Sequence, residues 1–463
     1  MSEPLDLVVL GGGIAGLTVA FDALRRRPGT KVVVLEPDAV AGGRIGRAEV
    51  AGVVIDTGPD AFLARVPGAV ELAGDLGLGD ELISPATGEA TVWTRGRLRM
   101  LPAGVVLGVP SKLGPLARSG ILSRTGLARA ALDEVWPRRA RPGDLSVSEA
   151  IGSHLGREVI ERLVDPLLGG ISAANSDELS LEAAAPQLVA AARSPRLMRA
   201  LRAQQLAQTR GQIGVNEQRP VFLAPRSGIR EMVERLVRAL PDGTLLTGVG
   251  ATSITRHLAG GWTVTGSDGI ERRTFAVAVT TPSMVAAKLL RDVSSEAASK
   301  LDAIRYASVA LTLLAYPRES VTLPRGSGML VPRVERRFMT AASWWDHKWP
   351  HVASPGNVLI RASAGRIDDE RFVDMADDEI VRALHSELVE AVGVRSNPVD
   401  AHVARWVRSF PQYAVGHMDL VDYIERVLTT EAPGIALAGS AYRGTGIPAT
   451  IRTALAASAQ LVR

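Results

Sequence analysis

Gly11-Gly12-Gly13-Ile14-Ala15-Gly16 is the stretch whose residue types and spacing point most directly to chemistry. It fits G-x-G-x-x-G, the loop that cradles a dinucleotide pyrophosphate. Gly11 permits the tight turn, Gly13 leaves the backbone open to a phosphate, and Gly16 lets a helix pack closely on a strand. Glu36 stands where an acid can accept both ribose hydroxyls, and a 2′-phosphate there meets a like charge. Gly42-Gly43-Arg44 follows. Two glycines let a second backbone segment close over the dinucleotide, and an arginine beside them can pair with its pyrophosphate. Taken alone, the first motif leaves NAD and FAD unseparated.

Positioning these residues takes a strand, a turn, a helix and a second strand. Leu7-Val8-Val9-Leu10 is a short apolar run, as a buried parallel strand requires. Leu17, Val19, Ala20, Phe21, Ala23 and Leu24 give the helix pattern, and Lys31 to Leu35 the second strand, with Glu36 at its tip. The end of the chain repeats the theme. A strand, Ile435 to Ala438, runs into Gly439-Ser440-Ala441-Tyr442-Arg443-Gly444-Thr445-Gly446, and a helix follows from Ala449 to Leu461. First and last segments therefore belong to one discontinuous domain.

Between them the pattern alternates. Glu49 to Ile55 reads as one strand leading to the small-residue turn Asp56-Thr57-Gly58-Pro59-Asp60. Arg65, just beyond, is either a surface helix arginine or a cation facing a carboxylated substrate. Roughly Pro102 to Thr209 is a mostly helical insert, broken at Gly169-Gly170-Ile171 and able to roof a pocket. Val277 to Val279 returns to the nucleotide domain at Thr280-Thr281, residues that can also cap the helix after them. Strand patterns from Ala307 to Arg408, with an amphipathic helix from Asp374 to Val392, form a second sheet domain.

Composition narrows the function classes. The formal charge is +4 and the basic residues are scattered among acids, which argues against nucleic acid. The densest basic run, Arg138-Arg139-Ala140-Arg141, reads as a solvated loop. Cysteine is absent, which removes disulfides, thiolate catalysis, iron–sulfur clusters and cysteinyl flavin. His347 and His351 are four apart with Pro350 between them, so they read as a loop, not a metal pair, and His417 as a structural residue. The acidic N-terminus running straight into a strand, and the lack of a long apolar span, lead us to expect a cytoplasmic protein, with peripheral membrane contact left open.

The spacing from Glu36 to Gly42-Gly43-Arg44 resembles the flavin signature of the amine oxidase-like superfamily, and this resemblance selects FAD. Longer segments are more specific: Gly58 to Leu63, Leu101-Pro102 through Pro110, Val164 to Ile171, Arg408-Ser409-Phe410-Pro411-Gln412-Tyr413 to His417, and Ala438 to Ile447. They resemble the porphyrinogen oxidase family over nearly the full chain, with the coproporphyrinogen III oxidases of monoderm bacteria as the nearest branch. Departures are modest: Phe410 replaces a frequent leucine, and Ala449-Thr450 an acid–cysteine pair.

The resemblance implies an α/β fold: a Rossmann-type FAD-binding domain with an amine oxidase-like substrate domain and a helical insert. It divides the chain into FAD-binding segments at residues 1–90, 211–285 and 411–463, a substrate and helical domain at 91–210, and a substrate-binding mixed sheet at 286–410. It implies non-covalent FAD contacts at Gly11, Gly13, Gly16, Glu36, Gly42, Gly43, Arg44, Gly58, Val249, Trp406, Gly439, Gly446 and Ile447. Gly169, Gly170 and Ile171 fall in the segment that sandwiches the substrate ring, and Arg65, or less directly Arg226, is the candidate for a propionate. The implied reaction is oxygen-dependent, six-electron oxidation of coproporphyrinogen III or protoporphyrinogen IX in heme biosynthesis. It releases peroxide and hands its product to the next enzyme. An amine or carotenoid oxidoreductase and a non-enzymatic flavin carrier are the alternatives. Scarce aromatics, 4% of residues, leave few candidates for an amine oxidase's aromatic cage.

Overall fold

A computed structural model describes residues 3–139, 141–211 and 220–462. Its first sheet is built around the strand Leu5–Leu10, which pairs in parallel with Val32–Glu36 on one side and Glu271–Val279 on the other. Leu245–Thr247 extends it beyond Val32–Glu36, and Ile435–Leu437 pairs in parallel with Glu271–Val279. An antiparallel meander, Ala251–Arg256, Trp262–Gly266 and Glu271–Val279, completes the sheet.

Both faces of this sheet are covered, which explains the unbroken apolar run. Leu7 and Val9 face one core with the helices Ile14–Arg26 and Ile447–Leu461. Val8 and Leu10 face a second core with the helices Ser283–Leu290, Ser295–Asp302 and His417–Glu431. All four side chains are at most 1% exposed. Burying an aliphatic side chain of this size contributes about 1.5–3 kcal/mol, so the central strand is fixed from both sides.

The second sheet runs in the order Asp400–Pro411, Tyr306–Pro317, Asn357–Ala364, Met339–Trp344, Gly328–Leu330, Thr91–Thr94, Arg97–Met100. The Thr91–Met100 hairpin, expected with the helical insert, joins this sheet by parallel pairing of Val92 with Leu330. The insert itself is helical from Leu113 onward. The segment junction expected near residue 211 runs into residues outside the described set, as does Ala140 of the arginine run.

Three local expectations are corrected. Glu49 to Ile55 is a hairpin, Arg47–Val50 against Val53–Asp56, because Ala51 and Gly52 adopt positive φ of 50° and 77°. Leu179 to Ala192 contains two helices, Leu181–Ala184 and Pro186–Ala192; proline cannot donate the hydrogen bond that would join them. Gly169-Gly170-Ile171 does not break its helix. Asp165–Ser172 continues through it from a π-helical turn, and the end comes at Ala173, φ 53°. The helix His417–Glu431 went unread, although Leu420, Val421, Ile424, Val427 and Leu428 recur at helical spacing.

The two glycines of the first turn differ in their surroundings. A Cβ on Gly16 would lie 1.9 Å from the Gly11 carbonyl oxygen, whereas one on Gly13 would meet nothing within 4 Å. Gly16→Ala is therefore expected to destabilise the apoprotein by about 1–3 kcal/mol through overpacking, and Gly13→Ala to stay within about 0.5 kcal/mol of wild type. Thermal unfolding of the two variants checks this; equal midpoints would contradict the close packing.

Candidate functional site

Two glycine turns touch at the end of the first strand. Gly11 takes φ 104°, and Thr280 Oγ1 donates to the carbonyls of Leu10 (2.8 Å) and Gly11 (3.1 Å). Thr280 thus locks the turn; it does not cap the helix beyond it, whose N-cap is Pro282. Gly42 donates its N–H to the Gly12 carbonyl at 2.9 Å, and Gly13 and Gly42 form a parallel bridge. Gly13 is also the N-cap of Ile14–Arg26 and supplies no side-chain cap, so the first N–H groups of that helix are left for an oxygen ligand.

Glu36 is 5% exposed at the tip of its strand. One carboxylate oxygen accepts the Gly12 N–H at 2.6 Å and the other the Asp38 N–H at 2.9 Å. Each oxygen keeps acceptor capacity for a diol. Val249 closes the strand end by donating its N–H to the Glu36 carbonyl at 2.9 Å.

Arg44 gives the site its charge. Its Nη1 donates to Ser440 Oγ at 3.1 Å, and no carboxylate pairs with it among the described residues. Burial pushes its guanidinium pKa down, with Tyr306 and Tyr413 opposing. Arg44 is half-buried without a counter-ion, a position that suits an anionic partner. Gly58 packs on the same segment: a Cβ there would sit 2.1 Å from the Arg44 carbonyl oxygen.

Ser440 is held from behind. Tyr413 donates its hydroxyl to the Ser440 carbonyl at 2.6 Å and accepts the Gly444 N–H at 2.9 Å. The Tyr413 ring stacks on His417 with centroids 4.1 Å apart, and His417 Nε2 donates to the Tyr442 carbonyl at 2.9 Å. Burial lowers the His417 pKa, which suits a neutral structural imidazole. Gly439, φ 131°, donates its N–H to Thr453 Oγ1 at 2.9 Å. Gly446 is the N-cap of the last helix, again without a side-chain cap, and Ile447 is buried behind it.

The second sheet is tied to this site by three side chains. Trp406 Nε1 donates to the Thr57 carbonyl at 2.9 Å, and Arg361 Nη1 to the Gly58 carbonyl at 2.9 Å. Asp60 is bonded to Lys348 Nζ at 2.5 Å and lies 3.5 Å from Arg361. Burial alone would raise the Asp60 pKa, but these two cations hold it well below the ordinary carboxylate range. Thr280, Tyr413, Ser440, Arg361 and the Asp60–Lys348 pair escaped the sequence reading as functional residues. Tyr413 and Ser440 stood inside quoted segments, but no spacing rule marks them.

The contacts thus bring together Gly11, Gly13, Gly16, Glu36, Gly42, Gly43, Arg44, Gly58, Val249, Trp406 and Gly439, with Gly446 and Ile447 at the adjoining helix end. Gly169, Gly170 and Ile171 form a separate surface at the end of Asp165–Ser172. It is fastened to the strand that carries Trp406: Gln412 Nε2 donates to the Ser172 carbonyl at 3.0 Å, and Ala173 packs with Ala307, Val309 and Phe410. Ile171 is 55% exposed there. Arg65 lies in a turn, not a helix, exposed and without an ion pair among the described residues. Arg226 is an exposed turn residue whose carbonyl accepts from His351 Nε2. His347 and His351 each donate to a backbone carbonyl, and no metal-binding group occurs among the described residues.

Arg44→Met is expected to raise the unfolding midpoint of the apoprotein, since an uncompensated charge leaves the interior. The same change should weaken dinucleotide binding by roughly 10- to 150-fold, the loss of one charge-assisted contact. Calorimetry on apo and loaded protein checks both signs; unchanged affinity would separate Arg44 from the ligand.

Residues 14–462 match the family described as flavin containing amine oxidoreductase. A coproporphyrinogen III oxidase of Bacillus subtilis is 32% identical, covering 96% of this chain and 94% of its own. The chloroplastic protoporphyrinogen oxidase 1 of Arabidopsis thaliana is 28% identical, covering 96% and 85%. A solved structure from Exiguobacterium, described as a candidate protoporphyrinogen oxidase, superposes with a TM-score of 0.89 at 27% identity, covering 100% of this chain and 99% of its own. The chain belongs to the flavin containing amine oxidoreductase family.

Proposed function

We propose that this enzyme is a porphyrinogen oxidase that holds FAD without a covalent link and oxidises coproporphyrinogen III. The observation that carries the reading is the near full-length likeness to coproporphyrinogen III oxidases at 26–32% identity. The site supports FAD. Arg44 and the uncapped helix start at Gly13 would hold the diphosphate, Glu36 would accept the ribose hydroxyls, and Gly58 and Trp406 would complete the contacts from the neighbouring turn and the second sheet. Gly439, Gly446 and Ile447 close the cleft from the C-terminal side. The absence of cysteine removes one route to a covalent flavin.

The flavin supplies a two-electron acceptor for hydride. Three rounds remove six electrons and six protons from the macrocycle, and three molecules of oxygen leave as peroxide. The chain's own part is to place a porphyrinogen carbon against the ring and to exclude water. Gly169, Gly170 and Ile171 offer a small and apolar surface for one macrocycle face. Arg65, without an ion pair, is available to a propionate. Coproporphyrinogen carries four propionates and protoporphyrinogen two, so a cationic rim favours the former. The Arabidopsis and Exiguobacterium similarities keep protoporphyrinogen IX as the second reading.

Anaerobic single-turnover reduction with each porphyrinogen tests the choice. The rate of flavin reduction over apparent affinity should be higher for coproporphyrinogen III, and Arg65→Ala should weaken its binding more than its reduction rate. A preference for protoporphyrinogen IX by about tenfold or more, or 1.4 kcal/mol, would overturn the substrate. Acid denaturation should release all the flavin as FAD; colour left on the chain would contradict the non-covalent link.

A further inference from the structure

The helix Asp165–Ser172, which carries Gly169, Gly170 and Ile171, is gripped by one short turn, Arg333–Glu335, that follows the strand Gly328–Leu330. Just before the helix, Arg162 Nη1 donates to Glu335 Oε1 at 2.7 Å. At its first residue, Asp165 Oδ2 faces the buried Arg333 Nε at 3.5 Å. The chain turns back at Ala173, φ 53°, and Asp165 catches the returning segment: its Oδ1 accepts the Ser176 N–H at 3.2 Å and the Ser176 hydroxyl at 2.9 Å. Arg333 Nη2 donates to the Ala174 carbonyl in that segment at 2.9 Å. Arg333 Nη1 is paired with Asp368, beside Ile367, whose N–H donates to the Ala173 carbonyl at 2.9 Å.

Leu168 and Leu330 share an apolar core, and a Cβ on Gly170 would lie 3.4 Å from Leu330 Cδ2. Such packing holds the helix on the sheet but has no direction. The charges supply it. Arg162 meets Glu335 and Asp165 meets Arg333, so the two pairs run in opposite sense. A slide of one helical turn would set Arg162 against Arg333 or Asp165 against Glu335, and the pairs therefore fix the register of the helix. Asp165 also serves a second cation. Arg366 is buried with the Val331 carbonyl as its acceptor at 2.9 Å. Burial and the neighbouring Arg333 lower its pKa to about 10, and Asp165 opposes them.

We infer that Arg333, acting through Asp165 and the Ala174 carbonyl, is a positioning residue for substrate: it sets where Gly169, Gly170 and Ile171 stand, and so how tightly the macrocycle is held. The inference rests on the reading of that surface as the porphyrinogen face. Arg333 is not a catalytic residue, because its guanidinium is engaged with protein groups. Its place is on the second sheet's side of the helix, apart from the glycine turns, so its loss falls on substrate and leaves the flavin held. Three partners arranged around one planar fork also distinguish arginine from lysine at this position.

Anaerobic flavin reduction by each porphyrinogen tests it, on the flavin-loaded wild type, Arg333→Met, Arg333→Lys, Asp165→Asn and the double variant Asp165→Asn/Arg333→Met. Arg333→Met should raise the half-saturating porphyrinogen concentration by about fivefold or more. The reduction rate at saturation should stay within about twofold of wild type, with FAD affinity and flavin absorbance unchanged. Arg333→Lys should recover part of the loss. The double variant should lie within about twofold of Arg333→Met, because both residues act through one contact. Arg382→Met, which removes an exposed pair with Asp378, should change nothing. If Arg333→Met does not fold, Asp165→Asn, of nearly the same shape, reads the same contact. An unchanged half-saturating concentration in the single variants, no recovery with lysine, an equal loss of FAD affinity, or effects that multiply in the double variant would overturn the inference alone. Failure of both porphyrinogens to reduce the wild-type flavin would instead overturn the substrate reading, and the inference with it.

Discussion

The structure depends on a close backbone crossing in which Gly42 donates to the Gly12 carbonyl and bridges to Gly13. Gly42 is the constrained member: it takes φ 130°, and a Cβ there would strike the Arg230 side chain, whereas Gly13 has open space beside it. The chain runs on from the crossing into Arg44, which is half-buried with a serine hydroxyl as its polar partner. The fold therefore carries a charge that it does not itself neutralise. On the proposed reading, a diphosphate at that point would complete the electrostatics.

Distant parts of the chain serve to keep this crossing in place. Thr280, at the end of the strand Glu271–Val279, fixes the first turn through two carbonyls. Tyr413 and His417 brace Ser440, which in turn accepts from Arg44. Trp406 and Arg361 reach across from the second sheet to the backbone at Thr57 and Gly58. The glycine turns and the Gly169–Ile171 surface are thus joined through one strand: Asp400–Pro411 carries Trp406 toward the first sheet and Phe410 toward the end of Asp165–Ser172. A bulge opposite Ala307 and Val309, with Arg408 at φ 44°, lets the strand turn between those duties.

The first motif was legible because its chemistry is local. Turn, helix start and acid lie within Leu5 to Glu36, and each residue type follows from a steric or hydrogen-bonding need there. The second glycine pair was legible only through resemblance, since nothing in its spacing states which backbone it must touch. Tyr413, Ser440 and Thr280 were not legible as site residues because their roles are hydrogen bonds across as many as 396 positions. Gly169-Gly170 misled as a helix breaker because its helix is held by packing on Leu330 and Phe410, and tertiary contact outweighs the propensity of two glycines. The arginine run after Trp136 reads as a loop in sequence; only the fold shows that Arg138 donates to the Pro195 carbonyl and Arg196 to the Val135 carbonyl beside it.

The central claim is that the diphosphate supplies the charge this cleft lacks. Titration of the apoprotein with FAD, FMN and riboflavin at two salt concentrations tests it most directly. The account predicts that FAD binds far more tightly than FMN, that riboflavin binds weakest, and that salt weakens FAD more than riboflavin. Equal affinities for FAD and riboflavin, with no difference in salt response, would contradict it.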